Sequence, residues 1–573
     1  MSAPEAPVIG SSYDFIVVGG GAAGCAAAAR LARHTTSSVL LIEAGSDLAD
    51  PATMPARLRD ASVPVTSGHN WDFRAILREP CAPPERARAS KVLAAAGRHL
   101  NAAPTAAHPD AAADASVVRF PYPLGKVMGG GAAINGANAL HAHPFDYDGW
   151  AAMGHDWWAW EQVRPLIEQG FGPGRPVPVG RPEAACTLLQ QRFLDACHLA
   201  GFPTIDCAED VIGAGVVPKN LKDGLRASSA LVLLGPLRQQ PNLHVVSSAE
   251  VERVLFEPGT APLRAFGVEV KVEGTRRLVG GRQVLLCAGA IQSPAILLRS
   301  GVGAADELAR LGIECRLPLP GVGRRLAEHP VVALWGTANA GYERPGEPIH
   351  QTMLQCPSVG ASRWDLQLFM MSSVPTDAFP PLREVVDSHL ALGIGVVLAL
   401  PRSRGSVSLA SADAAVPPRI LLNCAQDPED LRRLMDGVRV AARLLRSPPL
   451  AEATHRLVGW EEHTLASDTA LAQAVQATVR GSWHPTGTLG MGVRGDPMAV
   501  VDQQGRLHGC TNLRVADASI MPAIPSVPIN LTCMLIGERI AGLLADDALA
   551  GKAAAIRGLD NPGADRRRSR ELT

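Results

Sequence analysis

Three glycines spaced Gly19-x-Gly21-x-x-Gly24, with a glutamate at Glu43, are the first residues whose types and spacing could do chemistry. The first glycine of such a turn permits a tight bend, and the second lets a pyrophosphate lie against the backbone. The third lets the following helix pack closely on a strand. Free N–H groups and the positive end of a helix dipole would then face the phosphates. Glu43 falls 19 residues after Gly24, where a carboxylate can accept hydrogen bonds from both ribose hydroxyls of an adenosine. The pattern therefore implies a dinucleotide, but it does not choose between FAD and NAD. Eleven cysteines show no CxxC pair and no Cys/His cluster with zinc spacing, so no metal site is expected.

The glycine turn needs a strand before it and a helix after it, and both are present. Tyr13 to Gly19, YDFIVVG, is a short β-branched and aromatic run that reads as a buried strand. Ala22 to His34, AAGCAAAARLARH, is an uninterrupted stretch of strong helix formers. Ser37 to Glu43, SSVLLIE, is a second apolar strand, and strand–turn–helix–strand requires a parallel pair. Further on, 243–256 and 265–287 read as strands and 291–300 as a helix. The stretch 427–446 is an amphipathic helix with an acidic start and a basic end. Alternating segments such as LQLFMM and GIGVVLAL suggest a second sheet between 331 and 480.

At 573 residues the chain exceeds one ordinary core, so two or more domains are expected. Lys plus Arg number 54 against 55 Asp plus Glu, a balance that argues against nucleic acid or an anionic membrane as partner. No stretch approaches the roughly 18 apolar residues of a membrane span. No charged segment followed by an apolar run marks a signal peptide, and a cytoplasmic enzyme is the expectation. An Ala/Pro/Arg-rich insertion at 81–117 interrupts the pattern, and 553–573 reads as a flexible tail.

Residues 124–150, LGKVMGGGAAINGANALHAHPFDYDGW, resemble the first signature of the glucose–methanol–choline oxidoreductases. Residues 289–303, GAIQSPAILLRSGVG, resemble the second. NLRVADASIMPAIP (512–525) and LIGERIA (535–541) are similar to the family's closing flavin-binding segment. Among members, the sequence looks most like bacterial aryl-alcohol and hydroxymethylfurfural-type oxidases. The resemblance implies an α/β fold with an α+β second domain: a Rossmann-like FAD domain (10–80, 118–150, 205–330, 484–552) and a substrate domain (151–204, 331–483) on a six-stranded antiparallel sheet. It assigns Gly19, Gly21, Ala22, Ala23, Gly24, Glu43 and Ala44 to the ADP half of FAD, Val251 to the adenine and Trp71 to the ribose. Asn135, Gly136, Ala137 and Asn138 would lie under the flavin, Asp517, Ala518 and Asn530 would make the closing contacts, and Val127, Gly130 and Trp483 are also expected to bind the cofactor. Gly131, Ala132 and Ala133 stand where some members carry a histidine that bonds FAD, so non-covalent FAD is expected.

SWHPTGTLGMG (482–492) resembles the family's active-site segment and puts His484 on its catalytic histidine. An alcohol releases hydride only as its hydroxyl proton leaves, and an imidazole is suited to take that proton. The family's second active-site group, a histidine or asparagine, falls here on Pro528, which offers no side-chain donor or acceptor. Three readings stay open: a local shift that brings Asn530 into that place, a hydrogen bond from another pocket group or the substrate, or altered chemistry. The expected activity is oxidation of a small alcohol, allylic and aryl alcohols included, with O2 or an external acceptor reoxidising the flavin. A cyanohydrin-type lyase and a catalytically silent FAD-binding protein are the alternatives. A monomer or homodimer is expected, with Trp364, Phe369 and Met370 as candidate pocket walls.

Overall fold

The computed structural model describes residues 9–48, 50–78, 119–182, 185–378, 382–383 and 386–559. The insertion expected at 81–117 lies outside the described residues. Continuous apolar runs become the centre of a parallel sheet because both of its faces are covered. Its central strands lie in the order Leu513–Val515, Thr275–Leu286, Ser12–Val18, Val39–Ile42, Leu243–Val246, each parallel to its neighbour. The first helix occupies Ala22–His34, as its composition predicts, and starts immediately after the glycine turn.

Two strands expected as single runs are each divided by the backbone. Ser248, at a φ of 53°, turns the chain between Leu243–Val246 in the parallel sheet and Ala249–Phe256, which runs antiparallel to Leu263–Val272. The 265–287 run is a hairpin, because Glu273 (φ 48°) and Gly274 (φ 79°) make the left-handed pair that two-residue hairpin turns need.

The second sheet is antiparallel along Thr454–Leu457, Pro330–Ala338, Leu390–Leu398, Leu366–Pro375, Thr352–Cys356 and Gly213–Val216, with Arg480–Gly481 as a short seventh strand. The six expected strands are therefore present, with one addition. Residues 213–216, grouped with the FAD half from the sequence, pair into this second sheet instead, because their register is set against Thr352–Gln355. Phe73–Ile76 and Arg119–Tyr122 likewise join Ser406–Ser408 and Arg419–Leu421 in a four-stranded sheet. The amphipathic helix Pro428–Arg446 is capped by the Asp427 carboxylate, which accepts from Glu429 N–H, and lays its apolar face on the second sheet.

The last helix runs Asn530–Leu559, so 553–559, expected as tail, continues the helix. It packs against Ala22–His34, and Gly537 makes the close approach possible. A Cβ there would lie 2.1 Å from the Ala23 carbonyl oxygen. No described helix is long and apolar enough to cross a membrane. Replacing a mid-helix glycine by alanine ordinarily gains up to about 1 kcal/mol of helix propensity. Gly537→Ala should instead destabilise by roughly 1–3 kcal/mol, the cost of overpacking a rigid contact. A lowered melting temperature checks this; an unchanged or raised one would refute the packing account.

Candidate active site

Backbone carbonyls and N–H groups hold the glycine turn open on one side. Gly19 sits at a φ of 99° and donates to Ile42 O at 2.8 Å, while Gly129 donates to Gly20 O at 2.6 Å. A Cβ at Gly24 would lie 1.8 Å from Gly19 O, and one at Gly130 would lie 2.8 Å from Gly21 Cα. Those two glycines are needed for packing. A Cβ at Gly21 would meet nothing within 4 Å. The helix starting at Ala22 has no side-chain cap, so its first N–H groups face that open side.

Gly19, Ala44, Trp71 and Val251 line one cleft with about 300 Å³ of empty space, together with Gln292, which the sequence did not single out. Gln292 Oε1 is buried there without a hydrogen-bond partner, an acceptor suited to the exocyclic amine of an adenine. Lys126 Nζ lies 4.2 Å from the Trp71 ring centroid, and Trp71 stacks on Phe73 at 5.7 Å. Glu43 is buried, and its oxygens accept from Gly20 N at 2.7 Å and Gly45 N at 2.8 Å. Burial pushes its pKa up to about 7. A carboxylate has about four lone pairs, so each oxygen keeps one for a ribose hydroxyl.

Val127, an expected cofactor contact, is buried, and the short helix Gly131–Ile134 leads into the strip expected beneath the flavin. Asn135 Oδ1 accepts from Ala137 N at 3.0 Å, and Ala137 takes a φ of 55°. Lys219 then pins the strip, donating Nζ to Asn138 Oδ1 at 2.6 Å and to Gly136 O at 3.1 Å. Burial lowers the Lys219 pKa to about 7. The Asp517 side chain has a different task from the expected flavin contact. Its carboxylate is filled by Ser519 N (2.8 Å), Ser519 Oγ (2.5 Å), Gly289 N (2.8 Å) and Ser293 Oγ (2.6 Å), which fastens the Gly289–Arg299 helix to the closing segment. Ala518 is buried, and its carbonyl accepts from Gly487 N at 3.1 Å.

His484 lies beside a second imidazole that the sequence did not reveal. His329 Nδ1 is 3.0 Å from His484 Nδ1, and the rings meet edge to face at 5.2 Å. His329 Nε2 is 2.9 Å from Pro525 O. Beneath both, the buried Glu328 carboxylate accepts from His329 N at 2.8 Å and from His484 N at 2.9 and 3.0 Å, and takes the Tyr122 hydroxyl as well. Burial raises Glu328 to about 7. Trp483 adopts a φ of 65°, a costly state for a bulky residue, and Pro485 follows His484. The grip of Glu328 on the His484 N–H helps to hold that turn.

Pro525 is in turn fixed by its neighbour. Ser526 donates N and Oγ to Asp146 at 2.9 and 2.8 Å, and Trp150 Nε1 reaches Ala523 O at 3.0 Å. Both partners belong to the helix Pro144–Ala152. Asn530, expected as an alternative partner of His484, makes no hydrogen bond to it, and its Nδ2 is buried without a partner. Pro528 is half-buried in the loop before the last helix. Trp364 and Met370 are fully buried and Phe369 nearly so, all within the apolar clusters of the fold. No metal-binding cluster occurs among the described residues.

Two family models described as GMC oxidoreductase match the chain, over residues 13–331 and 401–537. A GMC-type oxidoreductase of Rhodococcus erythropolis is 32% identical over 93% of this chain and 98% of its own length. The 5-(hydroxymethyl)furfural oxidase of Methylovorus sp. (strain MP688) is 31% identical over 94% and 99%. The crystal structure of pyridoxine 4-oxidase from Mesorbium loti superposes with a TM-score of 0.77 at 24% identity, covering 92% and 98%.

The contrast between two glycines gives a test of the cradle. Gly21→Ala should fold with a melting temperature close to that of the parent apoprotein, since its Cβ enters open space, yet it should lose most of its bound flavin. Flavin content per chain measures this, and full occupancy in the variant would refute the placement of the cofactor.

Proposed function

The chain belongs to the GMC oxidoreductase family, whose members bind FAD, and from that premise we propose that it oxidises the CH–OH group of a small alcohol to a carbonyl. The observation that carries this reading is the state of His484. Burial and the adjoining His329 hold its pKa well below 6.5, so the ring is neutral and able to accept a proton. Its Nε2 has no protein partner among the described residues, whereas its Nδ1 is engaged. A neutral imidazole with one free nitrogen is the general base that an alcohol requires.

FAD, when bound, supplies the two-electron acceptor for the hydride that leaves the carbinol carbon. The chain's own residues do the rest. The glycine turn and the Gly21 opening hold the nucleotide, the 127–138 strip supports the ring, and His484 accepts the hydroxyl proton. Asn530 sits at the positive end of a long helix, with an unpaired amide donor for the cofactor or the substrate oxygen. Both ring nitrogens of His329 are engaged, by Pro525 O and by His484 Nδ1, so it braces the base and does not replace the substrate-facing group that Pro528 lacks. The likeness to a 5-(hydroxymethyl)furfural oxidase favours oxidation over the lyase and silent alternatives. The substrate domain would present small alcohols to this base, with allylic and aryl alcohols first in a screen.

Anaerobic mixing with a panel of alcohols, followed through the visible absorbance of the flavin, tests the assignment. His484→Ala should retain FAD and lose about 10²–10⁴-fold in the rate of flavin reduction. A variant that bleaches as fast as the parent would overturn the reading. Rapid return of colour in air identifies an oxidase, and slow return a dehydrogenase. The pH profile follows from the sign of the shift. A lowered His484 pKa keeps the neutral base populated as pH falls, so the acid limb of the reduction rate should lie well below pH 6.5. A limb at or above 6.5 would contradict the neutral base.

A further inference from the structure

We propose that His329 is a positioning residue that fixes the proton of His484 on Nδ1 and thereby leaves Nε2 as the bare nitrogen. The proposal rests on the reading of His484 as the base. Pro525 O has lone pairs only, so His329 Nε2, 2.9 Å away, must carry a hydrogen and donate it. His329 is almost fully buried, which disfavours the imidazolium and lowers its pKa to about 4. A neutral ring with its hydrogen on Nε2 has an acceptor at Nδ1. The 3.0 Å contact between the two Nδ1 atoms then has one consistent assignment, in which His484 donates and His329 accepts. His484, also neutral, is left with an unprotonated Nε2.

Proton transfer balances on that nitrogen. The substrate O–H bond breaks, an Nε2–H bond forms, and the imidazolium charge is shared along the Nδ1–H contact to His329. The carbonyl that starts the chain is itself immobilised, since Asp146 holds Ser526 by two hydrogen bonds and Trp150 holds Ala523. The tautomer is therefore set by four separate elements: the Pro144–Ala152 helix, the 523–526 loop, the entry to the Pro330–Ala338 strand, and the 482–485 turn. Position 528, being proline, could not do this.

The test compares three variants of the FAD-loaded protein. His329→Leu keeps bulk but removes the acceptor. His329→Asn returns an acceptor oxygen near the place of Nδ1. The Leu variant should reduce its flavin about tenfold to a hundredfold more slowly, the range expected when a buried donor loses its acceptor, with KM changed less than kcat. The Asn variant should recover most of that loss. His484→Ala runs beside them. If it stays active, the base assignment itself fails; if it is inactive while His329→Leu reduces flavin at the parental rate, only the tautomer proposal fails. Equal losses in the Leu and Asn variants would also overturn it. Nitrogen NMR of the unmutated protein labelled with ¹⁵N-histidine reads the tautomer without any variant. A proton on His484 Nδ1 supports the proposal, and a proton on Nε2 overturns it.

Discussion

A carboxylate removed from water must find donors, and Glu328 finds them on three separate stretches of chain. Its oxygens take the backbone N–H of its neighbour His329, the backbone N–H of His484, and the hydroxyl of Tyr122. Hydrogen bonds to such a group contribute about 1.5–3 kcal/mol each, more than neutral ones, because the low local dielectric strengthens them. The cost of burial is visible in its raised pKa. In return, two histidines 155 residues apart are held by their backbones, which leaves their rings free to meet each other. The edge-to-face geometry of the pair, its neutrality and the open Nε2 all depend on that anchoring.

The same logic runs through the nucleotide half. Buried polar groups there are matched to protein partners, and Glu43 and Gln292 keep acceptors that a bound cofactor would meet. Glu43 spends one lone pair of each oxygen on Gly20 and Gly45, Asp517 spends its whole carboxylate on protein donors, and Gln292 keeps an acceptor unpaired in the cleft. The glycines divide similarly. Gly24, Gly130 and Gly537 are required because backbone lies against them, whereas Gly21 is required only if something else occupies the space beside it. A dinucleotide is the group that this division fits.

What the sequence disclosed follows the range of the interactions. The strand–turn–helix around Gly19 to Gly24 is local, so period, composition and turn chemistry all agree, and the helix bounds match those expected. The second sheet is legible from the apolar runs of Leu366–Pro375 and Leu390–Leu398, which are buried along nearly their whole length and not on alternate residues as expected. His329 was invisible to the same reasoning because Glu328-His329 before a strand reads as an ordinary polar entry, and its partner lies far along the chain. Its signal was the adjacency of two ionisable residues to an apolar strand that buries both. Lys219 was missed for a similar reason: its role comes from Gly136 and Asn138, remote in sequence. The 265–287 run reads as one strand because Glu273 and Gly274 are inconspicuous without their positive φ values.

Glu328 and Pro525 brace a pair of imidazoles whose open Nε2 is the place where a bound flavin would meet the base. A crystal structure of the FAD-loaded protein measures this most directly. It should show the flavin ring in front of His484 Nε2 with no protein group between them, and His329 still in Nδ1 contact with His484 at about the 3.0 Å seen here. A flavin ring bound away from His484, or a His329 side chain swung clear of it, would contradict the account.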